Sequence, residues 1–390
     1  MDFAPDHEAD RQAAARLTTV ESLSGGLDRF PATRRALETT TAAGNQLGAQ
    51  LFVSLRGETL VEAAIGEARP HVPLTPQHLL LWLSATKPLT AVAIAQQWER
   101  GRLGLDDSVA QHVPEFAVHG KERITIRHLL THTGGIRMVD LGGPERRWDE
   151  VIALIAARRP EPNWIPGQKA GYHEASSWFL LAEIVRRLDG RAFERYAREE
   201  ILVPLGMNDS WIGMPNEIAA AYRAEDRIAT VWNTETQPPS DRDWDSDAHL
   251  ARCSPAGGGW GPAADLGRFY GALLAGGRGV LRRETVEAIT ARHRVGLFDH
   301  TFKVELDWGL GFILDSKRHG HEGNNIPYGY GTLCSPRTYG HSGYRSAVAF
   351  ADPEPQLAVA FLPNGTPNEV DHQARTRAVI EGIYRDLGLG

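Results

Sequence analysis

Ser84 and Lys87, in the stretch Leu81-Trp-Leu-Ser-Ala-Thr-Lys-Pro-Leu-Thr90, have a spacing from which a nucleophile can be built without a histidine. Residues three apart on a helix share a face, so the hydroxyl and the amine can touch. Inside a helix Pro88 would cost a hydrogen bond, but in the first turn it costs none, which predicts a helix starting close to Ser84. Amide groups at such a start point at whatever Ser84 attacks and favour developing negative charge. The chemistry would be acyl transfer through a covalent acyl-enzyme. The spacing alone is weak evidence, because 15 Ser and 5 Lys give about 0.2 such pairs by chance. The bland alternative is a helix start with an exposed lysine. Against it, Ala91-Val-Ala-Ile-Ala95 is apolar on every face, as in a buried helix.

The elements that must position this pair follow from periodicity. A helix is predicted over about 27–45, then strands at Ala49–Leu55 and Thr59–Ile65 joined by a turn at Arg56-Gly57-Glu58. From the Ser84 helix to about Leu205 the pattern is mainly helical. One helix runs from Ala175 to Leu188, with Trp178, Leu181, Ile184, Val185 and Leu188 on one side and Gly190 past its end. Ser346–Phe350 and Gln356–Leu362 read as a hairpin turning at Asp352-Pro353-Glu354, and a last helix spans about 371–387. Strands at both ends with helices between them predict an α+β fold. Its antiparallel sheet is closed by the two termini and flanked by N- and C-terminal helices, with a mostly helical insertion. The expected division is an extension at 1–26, a discontinuous sheet domain at 27–80 plus 255–390, and a helical domain at 81–254 that carries Ser84.

Composition narrows the function. Of the 390 residues 42% are hydrophobic and 23% charged, and the net charge is −7 with no basic block, which argues against nucleic acid or an anionic membrane as partner. No apolar run is long enough to span a bilayer, and the acidic start Met1-Asp-Phe-Ala-Pro-Asp-His-Glu-Ala-Asp10 lacks a signal core. The two cysteines, Cys253 and Cys334, have no metal or redox spacing, so the expected location is cytoplasmic. The acidic stretch from Gln237 to His249 lacks the glycine and glutamate of a calcium loop and reads as a solvated loop placed to rim a cleft. His319-Gly-His321 lacks zinc spacing, and no metal or other cofactor is assigned. Gly340-His-Ser-Gly-Tyr344 fails the final position of a Gly-x-Ser-x-Gly elbow, which excludes Ser342 as that kind of nucleophile.

Further motifs stand in order along the chain. They are Leu129-Leu-Thr-His-Thr-Gly-Gly-Ile136, Pro166-Gly167 with Tyr172, Pro204-Leu-Gly-Met-Asn-Asp209, Ala256-Gly-Gly-Gly259 with Ala264-Asp265, and Gly340-His-Ser-Gly343 with Asp352-Pro-Glu354. Over roughly residues 50–365 the chain resembles the serine beta-lactamase and penicillin-binding-protein superfamily, in its class C-like esterase and transacylase branch. The resemblance implies the beta-lactamase/transpeptidase-like fold. It also implies that Tyr172 shuttles the proton between Ser84 and the leaving group, with Lys87 supplying the charge that makes a phenol a usable base. His341, Ser342 and Gly343 would be the third motif, bordering the substrate, and the backbone amides of Ser84 and Tyr344 the oxyanion hole. His-x-Gly occurs three times, at His132, His321 and His341, where about 1.5 are expected by chance; only His341 leads into an alternating strand after Tyr172. His132 is expected to make a structural hydrogen bond.

The second motif departs from the family's pattern, with Glu174 where an asparagine is expected. An ionised carboxylate near Lys87 would raise the lysine pKa and keep it cationic, shifting the base duty to Tyr172, but it would also oppose tyrosinate formation, so the sequence gives its net effect no sign. Glu174 is therefore a modulator, a binder of a substrate ammonium, or a bystander. The expected activity is acyl transfer from a small-molecule ester or amide to water, or to an amine or alcohol in a transacylase of natural-product biosynthesis. A silent binding protein with the same fold is the rival. The ten tryptophans and the loops around 232–250 and 317–332 form either an aromatic acyl pocket or ordinary core.

Overall fold

A computed structural model describes residues 26–319 and 329–389. Most of the expected N-terminal extension, His321 and much of the 317–332 loop lie outside the described residues. The expected first helix is divided: a 3-10 turn at Leu27–Arg29 precedes α1 (Pro31–Ala42). The reason is Pro31, which fits only in a first turn and leaves Phe30 outside helical geometry. Next come β1 (Gly48–Leu55) and β2 (Glu58–Arg69), then the short β3 (Val72–Pro73). The β1–β2 turn is the two residues Arg56 and Gly57, with φ of 55° and 83°, the left-handed pair that a tight hairpin with the native strand twist requires.

The middle of the chain supplies α2 (Lys87–Glu99), α3 (Ser176–Asp189) and α4 (Ala263–Leu274), among shorter helices. Helix α3 ends at Gly190, whose φ of 87° closes it in the left-handed region. The chain then returns to the sheet with β4 (Ile313–Leu314), β5 (Tyr339–Ser342), β6 (Val348–Asp352) and β7 (Leu357–Pro363), and ends in α5 (Glu369–Asp386).

These strands form one antiparallel seven-stranded sheet in the order β4-β5-β6-β7-β1-β2-β3. The pairing of β1 with β7 joins the start of the chain to its end, as the strand positions predict. Alternation along β7 sorts the two faces. Leu357, Val359 and Phe361 pack with Phe30, Leu37, Val379 and Ile383 of the terminal helices. Ala358, Ala360 and Leu362 face the larger core, which holds α2, α3 and α4. Small side chains on that face let α4 lie close; a Cβ on Gly267 would come within 2.0 Å of the Phe52 ring. From Lys87 to Gln97 every residue of α2 is buried, as its all-round apolar sequence predicts. A small second sheet, in which Gly259–Gly261 pairs with Leu80–Leu81 and with Trp211–Ile212, anchors the chain just before Ser84.

Candidate active site

Ser84 lies in a 3-10 turn, Leu83–Thr86, that runs directly into α2 with Pro88 in its first turn. The α-helix thus begins at Lys87 rather than at Ser84, and the tighter turn carries the serine. Leu83 is left-handed at φ 51°, a conformation a branched side chain avoids unless its surroundings impose it. Those surroundings are the glycine segment after Pro255. Trp82 N–H donates to Gly259 O at 2.8 Å, Gly259 N–H to Thr86 Oγ1 at 2.9 Å, and Thr90 Oγ1 to Pro255 O at 2.8 Å. The sequence placed Ala256-Gly-Gly-Gly259 in the motif order without a role; its work is to hold the serine turn.

Lys87 is fully buried, and its Nζ donates to Ser84 Oγ at 2.8 Å and to Ala256 O at 2.7 Å. Its pKa is lowered to about 7, chiefly because burial penalises the ammonium form; Glu174 opposes this and is outweighed. Glu174 thus acts on Lys87 in the expected direction, and burial outweighs it. Glu174 is exposed, so solvent screens its charge, whereas Lys87 lies in the core.

Tyr172 is brought to the same place. Lys87 Nζ stands 5.1 Å from its ring centroid and 5.7 Å from that of Trp178. The phenol ring packs among His132 at 4.7 Å, Phe302 at 4.8 Å, Trp308 at 6.0 Å and His341 at 6.1 Å. His132 accepts the His173 N–H on Nδ1 at 2.9 Å, which is the structural bond expected of it. The sequence did not show that its ring would also wall Tyr172. Burial, with the nearby cations and histidines, holds His132 well below the ordinary histidine pKa.

His341 and Ser342 lie on β5 and are buried. Burial, then the Lys87 charge, lowers His341 to a pKa of about 3, so it stands neutral with Nδ1 2.9 Å from Ser342 O. The next residue explains the glycine: a Cβ on Gly343 would sit 2.7 Å from Trp82 O and 2.9 Å from Leu83 Cβ. That close approach sets Gly343, the residue before Tyr344, against the serine turn.

An open cleft of about 710 Å³ adjoins the turn, with Leu83, Gly257 and Glu174 in its wall. Trp244 and His249, from the acidic 237–249 stretch, also line it, so that loop does rim a cleft. Most large aromatics are elsewhere: Trp82, Trp178, Trp260 and Trp308 are fully buried, and only Trp260 of these reaches the cleft. The tryptophan count thus reflects core more than pocket.

The fold is that of the beta-lactamase and penicillin-binding-protein type. The family model described as Beta-lactamase matches residues 33–383, and the chain belongs to that family. It is 26% identical over 364 residues to "Esterase/beta-lactamase LipL" of Mycobacterium tuberculosis (strain ATCC 25618 / H37Rv), covering 86% of this chain and 81% of the relative. Among solved structures, a penicillin-binding protein homolog from Caulobacter crescentus superposes with a TM-score of 0.73 at 31% identity, over 92% of this chain and 98% of that one. A family VIII carboxylesterase does so with a TM-score of 0.73 at 26% identity, over 92% and 97%. No described helix is long and apolar enough to cross a membrane.

Proposed function

We propose that the protein is a serine acyl-transfer hydrolase acting on a small-molecule ester or amide. The observation that carries this is the buried Lys87 amine, 2.8 Å from Ser84 Oγ with a pKa of about 7. At neutral pH a large fraction of it is the free base, which a surface lysine never is. Ser84 Oγ attacks the carbonyl carbon, and its proton passes to Lys87. Charge on the carbonyl oxygen is stabilised by the backbone amides of Ser84 and Tyr344. Tyr172, beside the lysine, relays the proton to the departing alkoxide or amine as the C–O or C–N bond breaks. Water then attacks the Ser84 ester and loses its proton to the same base, which returns it to Ser84 Oγ as the C–Oγ bond breaks and the acid leaves. His341 and Ser342 border the substrate from β5. The esterase named among the relatives supports this reading.

The cleft admits an acceptor larger than water. With an amine or alcohol in place of water the same acyl-enzyme would give transacylation. A fluorophosphonate probe tests the core of the reading: Ser84 is labelled, and Ser84→Ala abolishes both labelling and turnover of a chromogenic ester. Absence of an adduct on Ser84, under conditions that label a known relative, would favour a silent binding protein instead. Offering an amine panel with the ester separates the acceptors; free acid as the sole product restricts the activity to hydrolysis.

A further inference from the structure

Three consecutive backbone amides fix the chain at Tyr172. Gly171 N–H donates to His132 O at 3.0 Å, Tyr172 N–H to Asp299 Oδ1 at 3.1 Å, and His173 N–H to His132 Nδ1 at 2.9 Å. Asp299 is fully buried, and the same oxygen also accepts from Thr301 N–H at 2.9 Å and Phe302 N–H at 3.0 Å. Its other oxygen accepts from Arg294 Nη2 at 2.9 Å. Arg294 is buried too. It donates from Nη1 to Thr131 O at 3.2 Å and from Nε to Leu306 O at 3.3 Å, and its guanidinium lies 5.3 Å from the Trp308 ring. Thr301 Oγ1 donates to the Tyr172 carbonyl at 3.2 Å.

A buried ion pair gives little net stability, because desolvation offsets the attraction, and well-packed apolar residues often serve as well. What this pair adds is direction. Each polar end finishes on Tyr172, on the turn carrying His132, or on the segment bearing Phe302 and Trp308. These are the groups whose rings enclose the phenol. Neither member lines the cleft beside Ser84.

We propose that the Arg294–Asp299 pair is a positioning unit that holds Tyr172 at one setting against Lys87 and Ser84, so that proton transfer depends on it and substrate binding does not. The inference rests on Tyr172 acting as the proton relay. It differs from a purely structural role in predicting an effect on kcat and on the phenol itself.

The test uses the full-length protein with 13C-labelled tyrosine, the Tyr172 ring-carbon resonance being assigned from Tyr172→Phe. Asp299→Asn removes the charge that pairs Arg294. It is expected to shift or double the Tyr172 resonance and to lower kcat by about 10- to 100-fold with KM within about twofold. Should that variant not fold, Arg294→Lys decides, since it keeps a cation beside Asp299 but loses the fork that reaches Thr131 and Leu306. It is expected to move the same resonance and lower kcat by about 3- to 10-fold. An unmoved resonance with wild-type kcat in a folded variant overturns the proposal, as does a loss confined to KM. If wild-type Ser84 takes no label and turns over no ester, the acyl-transfer reading fails by itself and the relay part of the proposal falls with it; a moved resonance in the variant then upholds only the hold of Arg294–Asp299 on the Tyr172 ring.

Discussion

Two opposing influences act on Lys87, and their inequality sets how the site should respond to pH. Burial lowers its pKa to about 7 and Glu174 raises it, the first being larger. If the free amine is the base, kcat/KM must rise with pH through about 7 as the ammonium loses its proton. Glu174→Gln removes the influence that favours the charged form, so the lysine pKa falls further and the acid limb moves to lower pH. High salt should move the wild-type limb the same way, because Glu174 is exposed and its charge is open to screening. Profiles of kcat/KM for both proteins check this; a limb that stays or moves upward assigns the base elsewhere. The same burial implies that Lys87 is costly to the fold. Lys87→Met should abolish acylation while leaving stability unchanged or raising it by about 1–3 kcal/mol, read by thermal unfolding. At this scale the apolar run Ala91–Ala95 already argued for a buried Lys87, as found. Glu174 was legible as a departure from the family pattern; its exposure, and the balance between its charge and the burial of Lys87, were not.

Between elements, the serine turn is held from two sides, by the segment before Trp260 and by β5. Side-chain chemistry alone could suggest His341 and Ser342, but the tight dimension belongs to Gly343. A Cβ there meets backbone at Trp82 O, 2.7 Å away, which cannot yield as a flexible side chain would. Gly343→Ala should therefore push the end of β5 off the turn and misplace the Tyr344 amide. A drop in kcat of about 10²-fold is expected with an intact fold, since one displaced oxyanion donor costs that much. Burst kinetics with a chromogenic ester separate this from a binding defect; unchanged acylation would remove Tyr344 from the oxyanion hole. The sequence carried the order of these segments but not their contacts. Ala256 O receives the Lys87 ammonium across 169 positions, and His132 stacks on Tyr172, and neither leaves a periodic or spacing signal. Pro31 and Pro88, by contrast, announce their helix starts locally, because a missing N–H restricts where each can stand.

For the whole molecule, sheet closure by the two ends was legible because strands with clear alternation sit near both termini. The link that secures them was not. Asp386, in the last turn of α5, accepts Ala32 N–H at 3.0 Å, Thr33 N–H at 2.9 Å and Thr33 Oγ1 at 2.7 Å. It thereby satisfies free amides at the start of α1, a capping role supplied from 353 residues away. Gly382 makes the crossing possible, since a Cβ there would lie 2.9 Å from the Thr33 backbone. Both helices pack on the face of the sheet that carries Leu357, Val359 and Phe361, whereas α2 belongs to the core on the other face. Asp386→Ala should then lower stability by about 1–2 kcal/mol, the usual cost of a lost cap. Denaturant unfolding would show this as a lower midpoint at unchanged slope, provided the molecule unfolds in one transition. Activity below the transition should match wild type, because the helix pair sets the sheet's closure and the serine turn is anchored from its other side. A loss of kcat at full foldedness would instead mean that the terminal helices govern the register of β5 against Ser84. Arg375→Met then becomes the natural comparison, since the Arg375 guanidinium of α5 donates to Arg345 O, one residue past the Tyr344 amide, at 3.0 Å.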